Sequence, residues 1–467
     1  MLFLLLTIFI VLISARLFKK GCGTISISRL NMMSVIFYYY LLVQCVIGSV
    51  LVVNQVDNHY MIDKLTHVES RYYGYAAVMY TIIAFPIGMI IGNRLWGIRN
   101  ISKKFNQYCQ SKIDFESKYN YKIVKSICVA VSLIAFCATL YVTAVIGEIS
   151  IIKALGSSSA VELAGFRADS TRHFSGNEYI KNILALGMTP LMSYVAYAYK
   201  LRNNTRFNKI WFWLMFAASI QIVSYNLEKS PIVVYLIGFL FFRIYLGKYI
   251  TKRQLMVLAF LIILLVIGLY MLIMGTGIDI MTLFNYNSGI VGRLTLSSVA
   301  GLFHNFDLWP DAYPFIGFSS LSQVFSDVIG IPYSERASRV IMETINPEGI
   351  KMGLAGVVNS LFVGEAWSNW GIWGVILSPI IVGGMIQSLY IFFLKSPKTP
   401  FFLALFVNFS FKSSITGGVN DYFYNVQAII IICLIISIYG FSKVLYKSLR
   451  DEKKDDISHS AGVRPEA

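Results

Sequence analysis

The chain has 467 residues, of which 56% are hydrophobic and only 14% are charged, and its formal net charge is +16. Because soluble domains carry about 25% charged residues, this composition excludes an ordinary soluble protein. Apolar runs long enough to cross a bilayer, about 20 residues each, recur from one end of the chain to the other. We therefore predict an all-α polytopic membrane protein with about eleven transmembrane helices.

The predicted spans follow one another from the N-terminus. The first has no small-residue cleavage site after it, so we interpret it as a retained helix rather than a signal peptide. The predicted spans are 1–17, 35–53, 75–92, 126–146, 182–199, 210–225, 232–246, 256–275, 371–394, 401–416 and 426–440. Residues 1–445 thus form a single transmembrane domain, and 446–467 form a cytoplasmic tail.

The positive charge is concentrated in alternate loops, most clearly in 94–125, 243–253 and 443–464. Lys and Arg accumulate on the cytoplasmic side of membrane proteins, so we place the N-terminus outside and the C-terminus in the cytoplasm. The charge is therefore a topology signal, and we expect no nucleic-acid partner.

Two predicted exterior loops are unusually long, 147–179 and 277–370. Long loops in compact proteins are usually functional. The second loop contains the apolar stretches 290–303 and 352–363. We predict that these stretches form short interfacial or re-entrant helices, because irregular backbone survives at membrane depth only inside protein or beside water.

Cations in the exterior loops are candidates for anion binding, because the positive-inside bias acts against them. Arg167, Arg172 and His173 lie in GFRADSTRH, and Arg336 and Arg339 lie in SERASR. Arg336 and Arg339 are three residues apart and would share one face of a helix, where two guanidinium groups suit a diphosphate. The alternative is local ion pairing with Asp169, Glu178, Glu335 or Glu343.

Two further cations stand at the edges of apolar segments. Lys229 lies in the short turn NLEKSP, where it either points into a central cavity or forms a surface pair with Glu228. Arg293 begins the apolar stretch GRLTLSS, where a lone guanidinium needs a partner. We predict that both contribute to the same anion site.

Candidate general bases on the exterior side are Glu365, Asp421, Glu178, His173 and His304. Glu365 enters the apolar, aromatic run VGEAWSNWG and could accept a proton from a substrate, or it could be a carboxylate favoured by the start of a helix. His304 lies in GLFHNFDLW, where it is either a substrate contact or a structural histidine with a satisfied ring.

Several catalytic and metal-binding patterns are absent from the sequence. Its six cysteines include no CxxC pair, and no Walker A loop, HExxH, GxSxG or exterior Asp-x-Asp pattern occurs. We therefore expect no metal and no cofactor. An exterior reaction without a nucleotide requires a substrate that is already activated, such as a lipid diphosphate.

The number of spans, the two long exterior loops and the stretches GFRADSTRHF, NLEKSP, GRLTLSS and VGEAWSNWGIWG together resemble the bacterial Wzy-type polymerases of O-antigen and oligosaccharide repeat units. The resemblance implies a GT-C-like, metal-independent glycosyltransferase in the bacterial cytoplasmic membrane. Such an enzyme transfers the growing glycan from undecaprenyl diphosphate to a new lipid-linked unit on the exterior face, for lipopolysaccharide or capsule. Implied partners are undecaprenyl-diphosphate-linked oligosaccharides, membrane lipid and a chain-length regulator protein.

The resemblance also assigns roles to the candidate residues. The cations would bind the diphosphate, and Glu365 or His173 would be the base. The expected diphosphate ligands are Arg167, Arg172, Lys229, Arg293, Arg336 and Arg339. The expected substrate contacts are Trp367, Asn369 and His304. The alternatives are an O-antigen ligase, which uses the same donor, and a polysaccharide flippase or transporter, for which short exterior loops and charges within the spans are typical.

Overall fold

The computed structural model of the protein describes residues 2–56, 58–115, 121–156, 160–171, 173–274, 284–287, 289–352, 355–423 and 440. Within these residues the regular structure is helical. The helices are α1 (Leu2–Cys22), α2 (Met32–Val53), α3 (Glu69–Leu95), α4 (Ile101–Gln110), α5 (Tyr121–Ile146), α6 (Ser150–Gly156), α7 (Ala160–Thr171), α8 (Thr189–Arg202), α9 (Arg206–Val223), α10 (Lys229–Tyr245), α11 (Lys252–Met274), α12 (Ile290–Thr295), α13 (Ala300–Leu308), α14 (Gln323–Ile329), α15 (Ala337–Ile345), α16 (Pro347–Lys351), α17 (Phe362–Lys395), α18 (Pro400–Lys412) and α19 (Asn420–Phe423). Residues Ile36–Val46 within α2 and Ile180–Met188 before α8 are π-helical.

Helices long and apolar enough to cross a membrane recur along the described chain. Five such segments are Leu2–Arg29, Met32–Val53, Glu69–Leu95, Tyr121–Ala154 and Phe362–Lys395. They support the predicted all-helical, multi-pass membrane protein. The number of spans and their orientation stay predictions, and the predicted span 426–440, apart from Gly440, and the tail 446–467 lie outside the described residues.

Helices α3 and α17 form the centre of the bundle. Their backbones approach closely, because a side chain on Gly88 would meet the carbonyl of Ile380 and one on Gly383 would meet the carbonyl of Phe85. Small residues at such contacts are typical of membrane helices. Loss of either glycine would therefore force the two helices apart.

The C-terminal ends of α1, α3 and α17 are joined by buried amides. Asn93 Nδ2 donates to the carbonyl of Gly21 at 2.7 Å, and Gln387 Nε2 donates to Asn93 Oδ1 at 2.7 Å. These three helices therefore end on the same side of the bundle, and the N-terminal residues of α3 and α17 lie on the other side.

The described part of the long loop 277–370 packs on that other side as part of the core. Asp307 in α13 is buried and accepts hydrogen bonds from Thr66 N at 3.0 Å, His67 N at 2.8 Å and Ser70 Oγ at 3.0 Å. The predicted helices in 290–303 are confirmed as α12 and α13. The predicted helix in 352–363 is wrong, since 355–361 is not helical and instead hydrogen-bonds to neighbouring segments.

The predicted span 401–416 is also wrong in its extent, because α18 ends at Lys412 after 13 residues. Residues 413–419 are not helical, and we call them the linking strip. Its serine, threonine and glycine residues are poor helix formers. Other elements satisfy its backbone, since the carbonyl of Ile415 accepts from Phe362 N at 3.1 Å and that of Ser414 from Tyr422 Oη at 2.6 Å.

Candidate functional site

The SERASR segment does not form the predicted pair of arginines on one helix face. Arg336 precedes α15 with an extended backbone, φ −67° and ψ 142°, whereas Arg339 lies within the helix. Arg339 Nε donates to Glu343 Oε1 at 2.8 Å, one turn further along α15. The local ion pair foreseen as the alternative is therefore the one that forms at Arg339.

Arg336 binds two carboxylates that lie far from it in the sequence. Its Nε and Nη2 donate to the two oxygens of Glu365 at 2.7 and 3.0 Å, and its Nη1 donates to Asp421 Oδ1 at 2.8 Å. Glu365 is only 2% exposed, whereas Asp421 is partly exposed. We call these three residues the Arg336 clasp.

A second layer of polar groups fixes the clasp. Asn420 N donates to Glu365 Oε2 at 3.0 Å, and Asn420 Nδ2 donates to the carbonyl of Ser320 at 2.9 Å. Asn369 Nδ2 donates to Asn420 Oδ1 at 3.2 Å. Gly418 leaves no room beside the clasp, because a side chain there would collide with Arg336 and Glu365. Asn369 thus supports the clasp rather than facing an open site.

The two carboxylates of the clasp change the pKa of Arg336. Burial by itself would lower the pKa of Arg336, but the hydrogen bonds and charges of Glu365 and Asp421 outweigh burial and raise that pKa. Both oxygens of Glu365 are occupied by donors. Glu365 can therefore act as a base only after it separates from Arg336.

A different group of cations meets where the loop 147–179 folds over the turn before α10. Leu227, at a positive φ of 56° in that turn, is buried with Ala154 and Leu163, and Phe166 packs against them. Ser150 Oγ also donates to the carbonyl of Tyr225 at 2.8 Å. These contacts hold Arg167, the residue after Phe166, over the start of α10.

The charges of Arg167 and Arg293 act on Lys229, the first residue of α10. Burial is the main cause that lowers the pKa of Lys229 to about 7, and the positive charges of Arg293 and Arg167 lower it further. We call Arg167, Lys229 and Arg293 the cation cluster. An anion bound among them would relieve this repulsion, and their role in anion binding stays a prediction.

The cation cluster and the linking strip both connect to one face of α2. Gly48 lies directly against the carbonyl of Thr295 in α12, the helix that carries Arg293. One helical turn earlier, Gln44 Oε1 accepts a hydrogen bond from Thr416 Oγ1 at 3.4 Å. The helix that carries Arg293 and the linking strip that precedes Asp421 therefore contact neighbouring turns of the same helix.

The other predicted site residues have different surroundings. His173 is exposed and its Nδ1 lies 3.2 Å from Asp169 Oδ1, beside a cleft of about 450 Å³ whose carboxylates include Glu148, Glu162 and Asp169. Such a lining disfavours a diphosphate. Arg172 lies outside the described residues.

Two of the predicted substrate contacts use their polar atoms within the protein. His304 is 1% exposed, its Nε2 lies 2.9 Å from the carbonyl of Met61, and burial lowers its pKa. Trp367 Nε1 donates to the carbonyl of Trp309 at 3.0 Å, and its ring packs against Phe306. Both positions fit the structural alternative.

Sequence reasoning found Arg336, Glu365 and Asp421 but did not foresee that they bind one another. It missed Asn420 and Gly418, whose sequence signal is the turn GGVND, and it missed Ser320, which lies in GFSSLS and has no such signal. Comparison of the chain with family models, with curated proteins and with solved structures found no match in any of the three. The geometry of the described residues is therefore the basis for a functional proposal.

Proposed function

We propose that this chain is a polymerase of lipid-diphosphate-linked oligosaccharides. It would transfer a growing glycan from undecaprenyl diphosphate to a new lipid-linked unit, on the exterior face of a bacterial cytoplasmic membrane. The observation that supports this proposal most directly is the cation cluster. Its members come from three separate helices, and the charges of Arg293 and Arg167 act on Lys229, so that a bound anion would be favoured there.

The proposed reaction needs such a cluster. The bond between the sugar anomeric carbon and the diphosphate oxygen breaks, and its electron pair leaves with the diphosphate. A hydroxyl oxygen of the acceptor sugar forms the new bond to the same carbon. Fixed cations at the leaving group stabilise the charge that develops there, and one such group contributes about 10² to 10³ in rate in comparable sites. Arg167, Lys229 and Arg293 would have this role.

The acceptor hydroxyl must also lose a proton. We assign this step to Glu365. Its ion pair with Arg336 would keep it from acting as a base until the two groups separate. A diphosphate oxygen that binds Arg336 would compete with Glu365 for the guanidinium group and release the carboxylate, which then takes the hydroxyl proton. Arg339 has no part in this proposal, because it pairs with Glu343, whereas Arg336 pairs with the proposed base Glu365.

A complementation experiment tests the proposal. In the bacterium that encodes the chain, the gene is deleted and replaced by the Lys229→Met or the Arg293→Gln variant. We expect both variants to leave single glycan units where the unchanged chain gives a ladder of long glycans. The matched control is Lys351→Met, which removes an exposed lysine of α16 and should restore the ladder.

Other outcomes of the same experiment point elsewhere. A normal ladder with Lys229→Met and Arg293→Gln would remove the cation cluster from the reaction. A deletion strain that accumulates free lipid-linked polymer would indicate a ligase. Accumulation of lipid-linked units on the cytoplasmic side would indicate a flippase.

A further inference from the structure

A second group of cations lies at the C-terminal end of α17, which is kinked at Gly371 (φ 59°, ψ −141°), and Lys395 there is roughly 36 Å along the helix from that kink. They surround two adjoining clefts of about 450 and 360 Å³, which share Arg99 and Asn100. The cations that line the clefts are Arg16, Lys19, Lys20, Arg99, Lys103, Lys104 and Lys395. Neither lining includes a carboxylate among the residues that the structure describes. We call these two cavities the basic clefts.

Two of these lysines lie at the end of α4 where the helix backbone itself is positive. Lys103 and Lys104 lie in the first turns of α4, after the cap in which Asn100 Oδ1 accepts from Lys103 N at 2.9 Å. The N-terminus of a helix is its positive end, so cations there are repelled. At the C-terminal end the arrangement is favourable, because Lys398 Nζ donates to the carbonyls of Tyr108 and Ser111, both at 2.7 Å.

An apolar stripe leads along α1 to the basic clefts. Leu5, Phe9 and Leu12 are exposed and spaced so that they share one helix face with Arg16. Span α1 is also little buried inside the protein. A lipid whose acyl chains lie along this stripe would bring its headgroup to Arg16.

A tryptophan of the kind found at the membrane interface lies beside the clefts. Trp96 is partly exposed, and the Lys395 ammonium lies 5.0 Å from the centre of its ring. Lys395 Nζ also donates to the Trp96 carbonyl at 3.2 Å. Tryptophan is typical of the headgroup level of a bilayer, and basic pockets between helices at this level suit lipid phosphates.

We infer that the basic clefts bind the headgroup phosphates of anionic phospholipids. The cations of α1, α4 and α17 contact the phosphate, and the exposed face of α1 contacts the acyl chains. Two adjoining clefts have room for two phosphate groups, from one two-headed lipid or from two lipids. This binding is independent of the reaction proposed at the other end of the bundle.

Native mass spectrometry of the full chain tests the inference. The protein is released from a neutral detergent with added dioleoylphosphatidylglycerol, cardiolipin or dioleoylphosphatidylcholine. We expect both anionic lipids to bind in preference to phosphatidylcholine. The double substitution Lys103→Gln with Lys104→Gln should weaken the binding of anionic lipid about 30-fold. Higher ionic strength should weaken it further.

The matched control removes the same charge at another helix start. Arg206→Gln with Lys209→Gln changes two exposed cations at the N-terminal end of α9 and should keep the affinity of the unchanged chain. Equal thermal stability of both double variants without lipid shows that the fold is intact. If the Lys103 and Lys104 variant is unstable, the single substitution Arg99→Gln replaces it.

Three results would overturn the inference. The first is equal binding of phosphatidylglycerol and phosphatidylcholine, and the second is an equal loss of affinity in the α9 control. The third is displacement of the lipid by millimolar inorganic phosphate, because a soluble anion would then be the ligand.

Discussion

The Arg336 clasp and the cation cluster use the same kinds of residue with opposite electrostatic results. In the clasp, Glu365 and Asp421 surround one guanidinium group, and their charges raise its pKa despite burial. In the cation cluster, burial and two positive neighbours lower the pKa of Lys229 to about 7. A cation matched by carboxylates holds the fold together, whereas cations that face one another favour an anionic ligand.

This difference distinguishes Arg336 from Arg167 more clearly than their positions in the sequence do. Arg336 and Arg167 both lie in predicted exterior loops that carry clustered arginines. Arg336 meets a buried carboxylate from α17, and Arg167 stands over the start of α10 near Lys229. The three predictions below test the comparison from its largest expected effect to its smallest.

The clasp should carry the largest contribution to stability. Glu365→Ala leaves the Arg336 guanidinium with only Asp421, and we expect the free energy of unfolding to fall by about 3 kcal/mol, the lower end for a broken buried pair because Arg336 is partly exposed. Titration with denaturant in detergent measures the change. The control Glu343→Ala breaks the exposed pair with Arg339 and should cost only about 0.5 kcal/mol. Equal losses in the two variants would contradict a structural role for the clasp.

Gly418 should be the most sensitive glycine beside the clasp. Gly418→Ala adds a methyl group against Arg336 and Glu365, and overpacking of this kind costs about 2 kcal/mol. The same unfolding measurement applies. Gly165→Ala is the control, since no atom lies within 4 Å of the added carbon, and alanine in a helix should stabilise by about 0.5 kcal/mol. A neutral Gly418→Ala would mean that the clasp has room that the structure does not indicate.

The cation cluster should reduce stability in a pH-dependent way. The folded pKa of Lys229, about 7, is below the value of about 10.4 for an unfolded lysine. Between these values the unfolded chain holds more protons, so stability rises with pH. Lys229→Met removes the loss of stability that the charged ammonium group of Lys229 causes. We expect the variant to be more stable than the unchanged chain by about 1 kcal/mol below pH 7, with the advantage lost toward pH 10.

Thermal unfolding at several pH values measures that difference. Lys351→Met, at an exposed site, is the control and should show no such trend. A pH-independent advantage of Lys229→Met would mean that lost packing or polarity, and not the charge of Lys229, explains the effect.

Much of the architecture could be predicted because its causes are local. Apolar runs such as Tyr75 to Gly92 have few ways to satisfy their backbone in a bilayer other than as helices, and α3 covers this run. The end of α18 was missed because uncharged residues continue past Lys412, while the contacts that stabilise a non-helical strip come from α17 and Tyr422. The residue types of both charged sites were foreseen, but not which cation meets which carboxylate.

The sequence by itself determined the helical, membrane-type composition, the positions of most helices and the short set of predicted exterior cations that are candidates for an anion site. Only the tertiary structure decided that Glu365 lies against Arg336 and that Arg167 lies near Lys229. The physical reason is that hydrophobic periodicity acts over one or two turns of a single helix, whereas the energy of a charge depends on its burial and on neighbours that folding brings from distant parts of the chain.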